Sequence, residues 1–104
     1  MQGEVLKGHL DLLLLAVVAE QPAHGYRVVE RLRERSGGVL ELAEGTVYPA
    51  LHRLERAGLL ASSWDESAGR KRRVYRITGR GRSELHRGRA EWGVFSTAVR
   101  AVLA

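Results

Sequence analysis

The chain has 104 residues, with 17 Lys+Arg against 12 Asp+Glu for a net charge of +5, and it contains no cysteine. A length of this order is one domain, and without cysteine there is no disulfide framework and no thiolate metal site. Hydrophobic content of 44% with only 2 prolines argues against a disordered chain, and no apolar run reaches the roughly 20 residues of a membrane span.

Met1–Lys7 lacks the charged, apolar and small-residue blocks of a signal peptide, so the chain reads as cytoplasmic. Leu10, Leu13, Leu14, Val17 and Val18 then follow the i, i+3, i+4, i+7, i+8 stripe of an amphipathic helix. That helix should stop near Gln21, because Pro22 disfavours helical geometry in the residue before it. His24–Arg35 carries a second helical pattern, closed by Ser36-Gly37-Gly38. Tyr26, Val29 and Leu32 point inward in it, and Arg27, Glu30, Arg31, Arg33 and Glu34 outward.

After a short segment, Val39–Glu44, a third helix starts at Gly45 or Thr46 and runs to Ala57, with Gly58 as the residue past its end. Val47, Ala50, Leu51 and Leu54 form its buried stripe. Pro49 has no N–H to donate and fits only in a first turn, which sets the start near Thr46 unless that turn is distorted. Leu59–Glu66 and Arg72–Ile77 read as a two-stranded hairpin with Ser67-Ala68-Gly69-Arg70 at its tip. Thr78 is a natural N-cap for a last helix over Gly79–Leu103. On that helix Leu85, Trp92, Phe95, Val99 and Val102 fall at spacings of 7, 3, 4 and 3, an a/d seam with Gly88 in one d position.

Charge is spread unevenly. Residues 1–69 hold 7 Lys/Arg and 10 Asp/Glu, a net of −3, whereas residues 70–104 hold 10 and 2, a net of +8. Arg70, Lys71, Arg72, Arg73, Arg76, Arg80 and Arg82 fall in one stretch that contains no acid. A solvated charged face has the same composition, but concentration in one structured segment fits a polyanion partner, and arginine suits bidentate phosphate contact. Nucleic acid is the first candidate and an anionic membrane surface the second.

Three helices, a basic hairpin and a long helix give a mainly α chain in the order of a winged helix-turn-helix. The expected units are a DNA-binding head, residues 1–78, and a C-terminal dimerisation helix, residues 79–104. The outward face of the third helix presents Thr46, Tyr48, Pro49, His52, Arg53 and Arg56, among which hydroxyl, imidazole and guanidinium groups can bond base edges or phosphates. A wing carrying Arg70, Lys71, Arg72 and Arg73 can reach an adjacent backbone or minor groove.

Four segments carry a family resemblance: Leu6-Lys7-Gly8-His9-Leu10, His24-Gly25-Tyr26, the run from Gly45-Thr46-Val47-Tyr48-Pro49 to Ala57-Gly58-Leu59-Leu60, and Gly69-Arg70-Lys71-Arg72-Arg73-Val74-Tyr75-Arg76-Ile77-Thr78. Together they resemble the phenolic acid decarboxylase regulator (PadR) family of bacterial transcription factors, in its smaller subfamily with one C-terminal helix. The resemblance implies a homodimeric repressor of a pseudo-palindromic site in double-stranded DNA, with the last helix packed on the partner subunit. It places Tyr26 near the DNA backbone. In some members a small aromatic compound binds between the subunits against a tryptophan of the last helix, where this chain has Trp92.

Several residues keep two readings. Thr46 and Tyr48 suit a cap or core position as well as a DNA contact, and the two are compatible because helix N-termini bind phosphate. Tyr26 is core or backbone-facing, His52 solvated or base-reading, and Arg53 ion-paired or DNA-bound. Trp92 and Phe95 are dimer packing or a platform for an aromatic effector. The seam of the last helix can fold back on its own head, but the head's helices already have stripes of their own to bury, which favours a partner subunit. His9, His24, His52 and His86 are scattered, with no i, i+4 pair, and no phosphate loop or Ser/His/Asp elbow is present. No enzyme, cofactor or metal is therefore expected. The alternative to a DNA-binding regulator is a winged-helix interaction module whose basic wing docks an acidic protein.

Overall fold

The computed structural model describes residues 9–67 and 69–104. Met1–Lys7, Leu6-Lys7-Gly8 of the first motif and Ala68 of the hairpin tip lie outside the described residues. In chain order the elements are α1 (Leu10–Glu20), β1 (Ala23–His24), α2 (Gly25–Arg35), α3 (Glu44–Arg56), β2 (Leu60–Asp65), β3 (Arg72–Ile77) and α4 (Gly79–Leu103). The three strands form one antiparallel sheet in the order β1-β3-β2. This is a winged helix-turn-helix followed by a long helix, as the element order predicts.

α1 ends one residue before Gln21, whose backbone is extended ahead of Pro22. Its buried residues are Leu14, Leu15, Val17 and Val18, while Leu10 and Leu13 are only half-buried. The one-sided stripe fails here because α1 is central: α2, α3, α4 and β3 all pack against it. β1 has no counterpart in the sequence pattern. Two residues are too few for a period to show, and the strand exists only because Ala23 and His24 pair with Tyr75 and Val74 of β3.

The inward line of α2 is Gly25, Val28 and Leu32. Tyr26, expected inward, is 52% exposed. The wheel turns by one position because Gly25 is pressed against the Tyr48 ring, which occupies the space a Cβ at 25 would take. Gly37 and Gly38 close the helix at φ 63 and 87, the left-handed region that glycine adopts at no steric cost.

α3 buries Val47, Ala50, Leu51 and Leu54 as expected, and Gly58 follows it at φ 79. It begins earlier than expected: Ala43 is the N-cap, and the amides of Thr46 and Val47 both donate to its carbonyl, at 3.0 and 3.1 Å. Thr46 therefore lies within the first turn and does not cap it. Pro49 sits inside the helix, beyond the first turn, and has no N–H to give to Gly45.

Thr78 caps α4, accepting the Gly81 N–H at 3.0 Å and donating its hydroxyl to the Gly58 carbonyl at 2.7 Å. The first turns of α4 complete the head: Gly81 and Leu85 are buried, and Gly88 lies against Leu12 of α1. This corrects the seam. Leu85 belongs to the chain's own core and is not available to a partner, because α1 covers that half of α4. Beyond it α4 runs out into solvent, which draws the molecule to 52 × 28 × 20 Å. Trp92, Phe95 and Val102 stand 47, 57 and 83% exposed, and Val99 is half-buried.

Candidate nucleic-acid interface

The start of α2, the face of α3 that carries Glu44, Tyr48 and His52, and the β2–β3 hairpin enclose an open groove of about 840 Å³. Tyr26, Tyr48 and His52 line it from the helices, and Arg70, Lys71, Arg72 and Arg73 from the hairpin. Seven of the ten residues expected at DNA thus meet in one concavity. The other three, Thr46, Pro49 and Arg53, are exposed on α3 outside its lining.

Local packing explains the His24-Gly25-Tyr26 motif. His24 accepts the Arg27 N–H on Nδ1 at 3.3 Å and so caps α2. Gly25 admits the Tyr48 ring, and Tyr26 is left facing solvent. Tyr48 is held in turn by its hydroxyl, which donates to Glu44 at 3.3 Å. Burial, reinforced by the Glu44 charge, pushes the Tyr48 phenol above its ordinary range, so it stays a hydrogen-bond donor.

The four wing cations are not equivalent. In the β2–β3 register Trp64 lies opposite Arg73 and diagonal to Lys71. Both cations rest on the indole, Lys71 Nζ 4.8 Å and the Arg73 guanidinium 4.9 Å from the ring centroid. Arg73 is also drawn inward: its Nε donates to Ser62 at 2.7 Å and lies 3.9 Å from a Glu55 carboxylate oxygen. Arg72 turns toward α2, with Nη1 3.1 Å from His24 Nε2. Arg70 stands exposed beside the turn at Gly69, whose φ is 78.

Arg53 makes a two-pronged ion pair with Asp11 of α1, at 2.8 and 2.9 Å. Helical spacing allows it a pair with a neighbour on α3; its partner is instead 42 positions away. His24, Trp64 and Asp11 were not among the residues the sequence singled out for the site. His24 carried only a weak signal, its place at the start of the second helical pattern, because histidine is not among the residues that mark an N-cap. Nothing local signals Trp64, whose role depends on strand register. Among the described residues no cluster of His, Asp and Glu is arranged to hold a metal, and no helix is long and apolar enough to cross a membrane.

Residues 14–87 match the model of the "Transcriptional regulator PadR-like family". The chain belongs to that family. It is 40% identical over 82 residues to a transcriptional regulator of Mycobacterium tuberculosis, a match that covers 79% of this chain and 74% of the relative. Among solved structures it is similar to a PadR family transcriptional regulator from Eggerthella lenta, at 35% identity, TM-score 0.84, and 96% and 86% coverage of the two chains. It is also similar to a transcriptional regulator from Clostridium thermocellum, at 25% identity, TM-score 0.89, and 98% and 100% coverage. This PadR-like chain therefore has the winged-helix fold and the regulator class that its motifs imply.

The capping histidine of this PadR-like head makes its stability depend on pH. Burial first, and then the Arg72 charge, lower the His24 pKa from its ordinary 6.5. A lowered value means that the folded state binds fewer protons, so the stability contributed by neutral His24 is complete above pH 6.5 and is lost as pH falls through the native value. Protonation also removes the Nδ1 acceptor that closes α2. In His24→Asn, where the amide oxygen takes over the cap, melting temperature should fall less steeply with acid below about pH 6.5 than in wild type. Parallel melting curves for the two proteins would refute this.

Proposed function

We propose that this PadR-like protein is a homodimeric transcriptional repressor acting in the cytoplasm on a pseudo-palindromic operator in double-stranded DNA. The supporting observation is the groove itself, where the polar face of α3 and a cation-lined wing converge on one open concavity. α3 enters the major groove with Thr46, Tyr48, Pro49 and His52 toward the base edges, Arg53 joins them by exchanging its Asp11 ion pair for DNA, and Tyr26 and the wing hold phosphates. Residues 1–78 form the DNA-binding unit and the outer part of 79–104 the dimerisation helix. The projecting half of α4 supports the dimer, since Phe95 and Val102 are exposed and Trp92, although it touches His9 at the start of α1, is still 47% exposed. Two such heads read half-sites about one helical turn apart, roughly 10 base pairs.

An aromatic effector would sit against Trp92 and Phe95, whose rings lie 6.1 Å apart, with His9 edge-on to Trp92 at 5.0 Å. It releases DNA only if it binds the two dimer states with different affinity. This scheme assigns no enzymatic activity to the chain.

A mobility-shift titration against the duplex upstream of its own coding sequence tests the proposal, repeated over a range of salt. The expected log K falls with log salt at a slope near −0.9 for each phosphate neutralised. A flat slope removes phosphate-driven binding. A protein that shifts no duplex and instead captures an acidic protein is the interaction module. Sedimentation equilibrium at micromolar protein should give twice the 11.5 kDa chain mass; a monomer sinks the dimer.

A further inference from the structure

His24 has a hydrogen-bond donor on each side of its ring. Nδ1 accepts the Arg27 N–H at 3.3 Å, and Nε2 lies 3.1 Å from Nη1 of Arg72. A neutral imidazole has one acceptor nitrogen and one N–H, and a guanidinium only donates. With Nδ1 committed to the helix cap, the ring proton is on Nε2 and faces another donor. The opposite tautomer serves Arg72 and strands the Arg27 N–H instead. Either way the cluster is short of one acceptor.

The sheet enforces this approach. His24 pairs with Val74, which makes Arg72, two positions along β3, its diagonal neighbour. Asp65, the acid opposite Arg72 in the β2–β3 register, is near enough for its charge to interact with Arg72 and His24 but makes no hydrogen bond to either among the described residues; its Oδ1 accepts the Ser67 N–H at 2.9 Å. Glu30 of α2 is paired with Arg27 at 3.4 Å. Both His24 and Arg72 line the groove, beside Lys71.

We propose that His24 and Arg72 form a seat for one phosphate oxygen of the DNA backbone, the Nε2–H and the guanidinium donating to it together while Nδ1 keeps α2 capped. The proposal rests on the DNA-binding reading and adds to it a residue of the β1–α2 junction. An oxyanion at this point replaces a contact between two donors by two charge-assisted hydrogen bonds. It also fixes how the wing approaches the strand on which α2 begins, since one phosphate bridges the two.

Asparagine and glutamine separate the two edges of the ring. Asparagine reproduces the Nδ1 edge and is a good N-cap, but places nothing at Nε2; glutamine reaches the Nε2 position and is a poor cap. Binding of the upstream duplex is measured for wild type, His24→Asn and His24→Gln over a range of salt, with thermal melting alongside. His24→Asn should melt like wild type near neutral pH yet bind roughly tenfold more weakly, the loss expected for one hydrogen bond to a charged group. Its salt slope should be unchanged, because a neutral donor releases no counterion. His24→Gln should show the reverse, near-normal binding and lowered melting. Arg72→Ala should cost less in the His24→Asn background than in wild type, since the two share one oxygen.

If His24→Asn binds the duplex as tightly as wild type, the seat is wrong even though DNA binding stands. Full additivity of the two substitutions overturns the shared oxygen. A wild-type protein that binds no duplex overturns the DNA reading and the seat with it.

Discussion

Gly81→Ala should lower the melting temperature by roughly 10–20 °C, whereas Gly79→Ala, two positions earlier, should leave it unchanged or raise it slightly. A Cβ at position 81 would collide with the Leu59 carbonyl oxygen and lie 2.7 Å from Cγ1 of Ile77. That carbonyl is not free to retreat, because it already accepts the Thr78 N–H at 3.1 Å. Thr78 in turn joins Gly58 to the first turn of α4. Relief of the clash therefore pulls on the helix cap and on the α3–β2 connection together. Overpacking of a tight core costs about 1–3 kcal/mol and loss of a cap about 1 kcal/mol more, a large part of a small domain's stability of about 5–15 kcal/mol. At Gly79 nothing stands within contact distance of an added methyl. Both variants must be compared at equal protein concentration, since dimerisation would add to apparent stability. Equal melting temperatures for the two would show that the start of α4 is not pinned to the head.

Replacing Lys71 and Arg72 together by alanine should weaken binding to every DNA sequence and reduce the magnitude of the salt slope by about 1.8, near 0.9 for each phosphate that is no longer neutralised. Both cations line the groove, and among the described residues neither makes a salt bridge, although Arg72 lies opposite Asp65 on β2 and interacts with its charge. Arg73→Ala should behave differently although it is adjacent in sequence. Its guanidinium is engaged by Ser62 and lies near Glu55, so a smaller change in slope is expected, with lowered stability of the wing. Equal slope changes for Arg72→Ala and Arg73→Ala would show that the wing rearranges on DNA and that its geometry in the free protein does not rank its cations.

The difference between these neighbouring arginines marks how far the sequence could be read. Helix ends were legible at Gln21, Gly58 and Thr78 because capping and proline rules act within a few residues. The buried stripe of α3 was legible because one face of that helix meets the core. The α1 stripe is less legible, since a helix packed on several sides loses the contrast on which periodicity depends. Tyr26 reads as inward from the sequence because the true inward line begins at a glycine, which carries no hydrophobic signal. Of the site, the groups were legible and their partners were not. Seven basic residues between Arg70 and Arg82 announced a polyanion surface, yet composition gives no hint that Arg73 folds back on β2 while Arg72 turns to α2.

By itself the sequence determined the order and type of the main elements, the placement of positive charge in the wing and the motifs of a PadR-like regulator. All of these rest on residues close together along the chain. Tertiary structure alone decided that Leu85 is core while Trp92 is exposed, that Arg53 is tied to Asp11 across 42 positions, and that Arg72 meets His24 across 48. Those outcomes depend on strand register and helix packing, which set distances between residues remote in sequence, and no local pattern encodes such distances.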